Sequence, residues 1–293
     1  MKVAYDSEHN IFVPSDNNIL LPQIMWHITG KCMLNCKMCF AKNQRFSNAV
    51  IDENTITRDL AFLSNLQVQK IDISGGEPLL CKYLVFLVNR AIEQGFSLTI
   101  TTRGLGIKDN IDWLIVNWRL FSRIIISLDS YDELSNDSYV GYKGAFKGLI
   151  SFINSLKEER CNNLRINTVV NQSILNLNHF GSVCKLVKNI SPKEWCLIQP
   201  HPLNKKESYN DYSVSGNEFR EFVKQSKDAL SDYKQINLLT RANNIYSTYW
   251  CLYPDNTIAQ LSSGSDYSFR CELNAQNIKI IERVINSNVQ ILP

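Results

Sequence analysis

Apolar positions along this chain follow two alternating rhythms. Six short runs rich in Ile, Val, Leu and aromatic residues predict strands over 23–29, 70–74, 97–102, 123–128, 164–170 and 194–199. Between them apolar residues recur three and four apart, as a helix requires. In 55–66 the repeat is Ile56, Leu60, Leu63 and Leu66, with Asn54 placed to cap the start. Stretches 83–94, 144–156 and 177–187 share that spacing. Strand then helix, six times over, predicts an α/β protein whose parallel sheet carries helices on its outer face. The polar stretch 1–20 is expected to be a loosely attached arm or an edge strand. After residue 200 the rhythm breaks. Residues 201–212 are polar and loop-like, and 215–230 reads as a helix with Phe219, Phe222 and Val223 inward. Residues 246–260 read as strand, a turn at Pro254-Asp255-Asn256, and strand. The segment 201–293 is therefore expected to extend the main domain of 21–200 and close its open end, without forming a second domain.

Composition narrows the class. Hydrophobic residues are 44% and charged ones 20% of 293, an ordinary globular balance and not a disordered one. A formal net charge of +3 does not announce a nucleic-acid binder. No stretch approaches the ~20 apolar residues of a membrane helix, and the start Met1-Lys2-Val3-Ala4-Tyr5-Asp6 has no apolar export core. These features predict a cytoplasmic protein with no membrane attachment. Nine cysteines in a reducing compartment are better metal ligands than disulfide partners. Six of them, Cys81, Cys161, Cys184, Cys196, Cys251 and Cys271, are scattered and expected to act as small buried hydrophobes.

The other three are clustered as Cys32, Cys36 and Cys39. Three thiolates this close can hold three irons of a cubane cluster and leave the fourth iron open, since a full protein ligand set needs four cysteines. A zinc site completed by His27 is the alternative from the spacing alone. About one strand-helix unit later comes Ser74-Gly75-Gly76-Glu77-Pro78, a turn where backbone can approach a ligand closely. Ser127 and Asp129 follow at the end of the fourth strand, where side chains face a ligand or cap a turn, and Thr101, Thr102 and Arg103 end the third.

The cysteine trio with the Gly-Gly-Glu-Pro turn resembles the radical S-adenosylmethionine (SAM) superfamily. That resemblance implies a partial (β/α)6 barrel with its site at the C-terminal strand ends. It implies a [4Fe–4S] cluster on Cys32, Cys36 and Cys39, whose open iron is chelated by SAM. It also implies SAM contacts from Phe40, Gly75, Gly76, Glu77, Ser127 and Asp129. In the superfamily an electron from the cluster cleaves SAM to a 5′-deoxyadenosyl radical, which takes a hydrogen atom from substrate.

Further segments are similar to viperin and its prokaryotic relatives. They are Trp26-His27-Ile28-Thr29-Gly30-Lys31-Cys32, Ser127-Leu128-Asp129-Ser130 with Asn136 and Gly141, and 164–171, 191–199 and 247–254. The likeness implies dehydration of a nucleotide ribose to a 3′-deoxy-3′,4′-didehydro product in antiviral defence, with an electron donor such as flavodoxin or ferredoxin. It places Tyr249 as the hydrogen or proton donor and Lys42, Arg165 and Asn167 on the substrate. Departures stand beside the matches. Glu194 and Cys196 occupy positions where that family has Arg and Lys, and Tyr142 stands where it has Arg. A carboxylate near phosphate costs affinity, so a changed nucleotide or a shorter phosphate tail is expected. Lys205, Lys206 and Arg241 could form a rearranged basic patch. Rival readings are a radical SAM enzyme acting on a peptide or another small intermediate, and a non-catalytic metal-binding protein.

Overall fold

The computed structural model describes residues 3–6, 11–14, 23–36, 39, 41, 51–175, 177–200, 212–242, 250–261 and 267–289. Its spine is a run of parallel strands: β3 (Gln23–His27), β4 (Lys70–Ser74), β5 (Ser97–Thr102), β6 (Arg123–Ser127), β7 (Leu164–Val169), β8 (Glu194–Ile198) and β9 (Asn237–Arg241). A further strand, β10 (Trp250–Leu252), runs parallel to β3 on its free edge, and β11 (Thr257–Leu261) and β12 (Tyr267–Glu272) follow antiparallel. The order across the sheet is β12-β11-β10-β3-β4-β5-β6-β7-β8-β9. Among the described residues the two edge strands, β12 and β9, do not pair, so the sheet is open, as a partial barrel is.

The strands form where the sequence alternates. Lys70-Ile71-Asp72-Ile73-Ser74 sends Ile71 and Ile73, both 0% exposed, to one face and Lys70, Asp72 and Ser74 to the other. The apolar face is covered by α1 (Glu53–Asn65), α2 (Leu84–Glu93), α3 (Lys108–Val116), α5 (Ala145–Glu158), α6 (Gln172–Leu175), α7 (Leu177–Ile190), α8 (Gly216–Ala229) and α9 (Ile278–Val289), whereas α4 (Glu133–Val140) packs at the cysteine loop. Ile56, Leu60 and Leu63 of α1 join Ile24, Trp26, Ile71 and Ile100 in one core. Each fully buried Leu or Ile there contributes about 1.5–3 kcal/mol. Across the outer layer, Phe180 of α7 meets Phe222 of α8 edge-on at 5.2 Å.

Some expectations change. The cap of α1 is Asp52, not Asn54: its carboxylate accepts the Thr55 N–H at 2.7 Å. The arm pairs β1 (Val3–Asp6) against β2 (Ile11–Pro14), and among the described residues it joins no edge of the main sheet. Residues after 200 supply strands to both edges of the sheet. The strand-turn-strand reading holds as β10 and β11.

Candidate active site

Chain leaving the C-terminal end of β3 enters the cysteine loop, and chain leaving β4 enters the glycine turn. The two are joined backbone to backbone. The Ile28 N–H donates to the Ser74 carbonyl at 3.0 Å, Gly76 N–H to Thr29 at 2.7 Å, and Glu77 N–H to Lys31 at 2.8 Å. This approach needs glycine. A Cβ on Gly75 would sit 2.4 Å from the Thr29 carbonyl oxygen, and one on Gly76 2.2 Å from that of Lys31. Gly75 also has a φ of +140°, open to glycine and strained for other residues. From the other side, Asn35 N–H donates to the Val140 carbonyl at 2.8 Å. Leu34, Val140 and Ala145 form a small apolar cluster on which Cys32 and Cys36 lie. The loop is thus anchored at Thr29 and Lys31 on the glycine turn and at Asn35 on the end of α4.

Cys32, Cys36 and Cys39 are half-buried reduced thiols. Burial pushes the Cys36 thiol up to about 11; the Arg103 guanidinium opposes this, and Cys39, Asp129 and Cys32 add to it. The three sulfurs therefore share one electrostatic neighbourhood. Yet among the described residues no three His, Cys, Asp or Glu side chains converge on a single metal ion. His27 is 4% exposed, with Nε2 at 3.2 Å from the Met25 sulfur and its ring 5.0 Å from that of Tyr253. The zinc alternative completed by His27 draws no support from this geometry. Three neighbouring thiols on one anchored loop suit a multi-iron cluster, which spreads its ligands over several metal atoms.

Behind the turn lies a buried polar frame. Glu77 points inward, capping the short 3₁₀ turn Pro78–Leu80. Its carboxylate accepts the Thr102 hydroxyl, the Arg103 N–H at 2.9 Å and the Leu79 N–H at 3.2 Å. Burial raises its pKa to about 7 against those bonds. The Arg103 side chain reaches Asp129, in close contact, and the Asn136 oxygen at 3.2 Å. Asp129 spends its second oxygen on the Val169 N–H at 2.9 Å. Both oxygens of Asp129 are thus engaged by protein, each with acceptor capacity to spare. Arg103, set directly after β5, carries a larger part in this frame than its place at a strand end announced.

The sheet face opposite the helices is mostly polar, with Met25 and Ile125 among its apolar members. By strand alternation and register it collects Lys70, Asp72, Thr99, Thr101, Arg123, Ser127, Arg165, Asn167, Glu194 and Cys196. Asp72 accepts the Thr99 hydroxyl at 2.9 Å and the Thr101 hydroxyl at 3.2 Å. Ser127 and Asn167 are register partners near the strand ends. Arg165 is 2% exposed; its Nε donates to the Asn167 oxygen at 2.8 Å and its guanidinium interacts with the Cys196 thiol, while its Nη2 has no hydrogen-bond partner. Glu194, expected to face phosphate as an uncompensated carboxylate, is instead paired with Arg123: Nε lies at 2.7 Å and Nη2 at 2.8 Å. The Glu194 carboxylate is thus balanced by the Arg123 guanidinium. Phe40, Lys42, Lys205, Lys206 and Tyr249 lie outside the described residues.

An open, mostly parallel α/β sheet with a thiol loop and a glycine turn at its C-terminal edge defines a cluster-binding enzyme scaffold. Residues 26–186, more than half of the chain, match the family model described as the Radical SAM superfamily. The chain belongs to that superfamily, whose members use a [4Fe–4S] cluster and SAM, and it is an enzyme. It is similar to a protein of Flammeovirga pacifica named S-adenosylmethionine-dependent nucleotide dehydratase, 29% identical over 82% of this chain and 82% of that one. A protein of the same name from Lacinutrix mariniflava is 26% identical over 71% of this chain; the match spans 45% of that longer protein. Among solved structures, Streptococcus suis SuiB bound to precursor peptide SuiA shares the fold, with a TM-score of 0.74, 15% identity, and coverage of 94% of this chain and 68% of that one. Among the described residues no helix is long and apolar enough to cross a membrane.

Proposed function

We propose that this enzyme dehydrates the ribose of a nucleotide, with a product that serves antiviral defence. The observation that carries the reading is Arg165, a guanidinium sealed inside the sheet with one nitrogen lacking a partner. Leaving such a donor unpaired costs about 1–3 kcal/mol or more, and an anionic ligand removes that cost. From Arg165 to the end of β7 the strand rises about 13 Å. A ligand held by its anion at Arg165 thus reaches toward the cysteine loop with its other end. The names of the relatives make a nucleotide phosphate the anion of choice.

In this reading Cys32, Cys36 and Cys39 hold the cluster, and Gly75, Gly76, Glu77 and Ser127 serve SAM. When bound, these groups supply a 5′-deoxyadenosyl radical that takes the ribose 4′ hydrogen atom. The protein's own work is positional. The N–H groups of Gly76 and Glu77 are committed to the cysteine loop, so the turn meets an amino group with carbonyl oxygen. Thr102 and Arg103 hold Glu77 and with it the turn. Asn167 and Ser127 present an amide and a hydroxyl suited to ribose hydroxyls, and Arg165 takes the phosphate. The 3′ hydroxyl leaves as water with one added proton. One electron from a low-potential donor of the flavodoxin or ferredoxin class then closes the 3′,4′ double bond.

The test is anaerobic. Reconstituted protein, SAM and dithionite are incubated with nucleotides at each phosphorylation level, and 5′-deoxyadenosine and nucleotide masses are measured. The expected result is one nucleotide that stimulates SAM cleavage and loses the mass of water. SAM cleavage with every nucleotide mass unchanged refutes the dehydratase reading.

A further inference from the structure

Arg103 follows directly on β5 and reaches three separate pieces of the site. Its backbone N–H donates to Glu77 at 2.9 Å, its Nη1 donates to the Asn136 oxygen of α4 at 3.2 Å, and its Nη2 meets Asp129 in close contact. The cysteine loop is the next neighbour. Val140, one turn past Asn136 on α4, takes the Asn35 N–H at 2.8 Å, and Asn35 directly precedes Cys36. Leu105, two residues past Arg103, packs on the same small apolar cluster as Cys32 and Cys36. The guanidinium and the Asp129 carboxylate both act on the Cys36 thiol, in opposite senses. The pair is sealed from water, its side chains 9% and 8% exposed. Taking two such charges out of water costs several kcal/mol each, and an apolar pair of similar volume is often as stable or more so. Stability alone gives little reason to keep charges at this place.

We propose that the Arg103–Asp129 pair sets the reduction potential of the cluster on Cys32, Cys36 and Cys39, with Arg103 favouring its reduced form and Asp129 opposing it. The physical step is short. Reduction adds one negative charge to the cluster. A fixed cation nearby stabilises that charge and a fixed anion destabilises it, in a buried setting where screening is weak. Each sign is the difference between one charge present and the same charge removed. It therefore does not depend on the sum of the other charges around the loop. Nor does it depend on which substrate the enzyme takes. The bonds to Glu77 and Asn136 make Arg103 a positioning residue as well, since they hold the cation between the glycine turn and α4.

The readout is the midpoint potential of the reconstituted cluster without SAM, followed by electron paramagnetic resonance through a reductive titration. R103M should lower the potential and D129N should raise it. Each shift should be about tenfold in the ratio of reduced to oxidised cluster at a fixed potential, which is about 59 mV for one electron. R103M/D129N, which leaves neither charge of the pair unmatched, should return close to native. Shifts of R103M and D129N in the same direction overturn the proposal, and so do potentials that neither variant moves. A pair that only clamps the structure gives no reason for opposite signs. Iron content is measured beside each potential. If one single variant takes up no iron, the sign of the other decides. If neither does, the pair is a structural clamp and the proposal falls.

Discussion

Gly76→Ala tests whether the glycine turn and the cysteine loop act as one piece. The added Cβ would stand 2.2 Å from the Lys31 carbonyl oxygen, 2.6 Å from its carbon and 2.8 Å from the Gly30 oxygen. All three are backbone atoms, so no side chain can swing away. Restoring even a 3.0 Å contact to the nearest atom takes a shift of 0.8 Å (3.0 − 2.2). That shift acts on the Glu77 bond to Lys31 at 2.8 Å and the Gly76 bond to Thr29 at 2.7 Å. Two weakened backbone bonds at about 0.5–1.5 kcal/mol each, plus about 1–3 kcal/mol of overpacking, give a cost of about 2–6 kcal/mol. The displaced residue is the immediate neighbour of Cys32, so the loss appears in the cluster before it appears in the fold. Anaerobic reconstitution followed by iron and sulfide analysis should show incorporation well below native, with SAM cleavage lost in proportion. Gly95→Ala is the control. Its φ of +85° carries the left-handed strain of about 1–2 kcal/mol, and nothing lies within 4 Å of the new Cβ. It should lower stability and leave iron content alone. A G76A protein with native iron content and native SAM cleavage would refute the reasoning.

Other consequences follow from the same frame. Serine at Cys32, Cys36 or Cys39 should each reduce iron content and abolish SAM-dependent 5′-deoxyadenosine formation, whereas serine at the buried Cys184 should leave iron content intact. Asp129→Asn removes the charge facing Arg103 where both side chains are under 10% exposed; chemical denaturation should show a loss on the order of 3 kcal/mol, and a loss within error of zero sinks the pairing. Burial raises the Glu77 pKa from 4.5 to about 7 and lowers that of His27 from 6.5 to about 4. The folded chain thus holds an extra proton on Glu77 between pH 4.5 and 7, a contribution that weakens as pH rises, while His27 weakens folding as pH falls from 6.5 toward 4. The two slopes oppose each other in the native protein, so E77Q should lose up to about 3 kcal/mol more than native on going from pH 7 to 4.5; parallel stability profiles would exclude it.

The sequence spoke clearly where burial is one-sided. All six expected strands formed, each within two residues at its ends, because β-branched runs such as Ile124-Ile125-Ile126 have few other uses. It spoke poorly where burial is slight or polar. Strand β9 holds only Leu238 and Leu239 between polar residues and none of its five is buried, so its alternation is weak. Helix α4 buries Asn136 and Val140 and presents no apolar stripe. The helix start at 52–54 offers Asp, Glu and Asn in succession, and only the fold selects Asp52. The cysteine loop and glycine turn were legible because both are local runs. The contacts between them were not, since Gly76 meets Thr29 across 47 positions (76 − 29). The polar floor was half legible: alternation in 70–74 already put Lys70 and Asp72 on one face, but nothing local ties Arg123 to Glu194.

That last pair shows how a site residue is to be read. Taken alone, Glu194 is a cation lost and a carboxylate gained, which argues against any phosphate. Taken with its register, it is one of three charged residues on neighbouring strands, Arg123 on β6, Arg165 on β7 and Glu194 on β8. A carboxylate between two guanidiniums lowers the cost of burying both, and buried charges of one sign are otherwise expensive. The carboxylate at 194 is therefore no isolated negative charge: Arg123 pairs it and Arg165 stands 3.9 Å away.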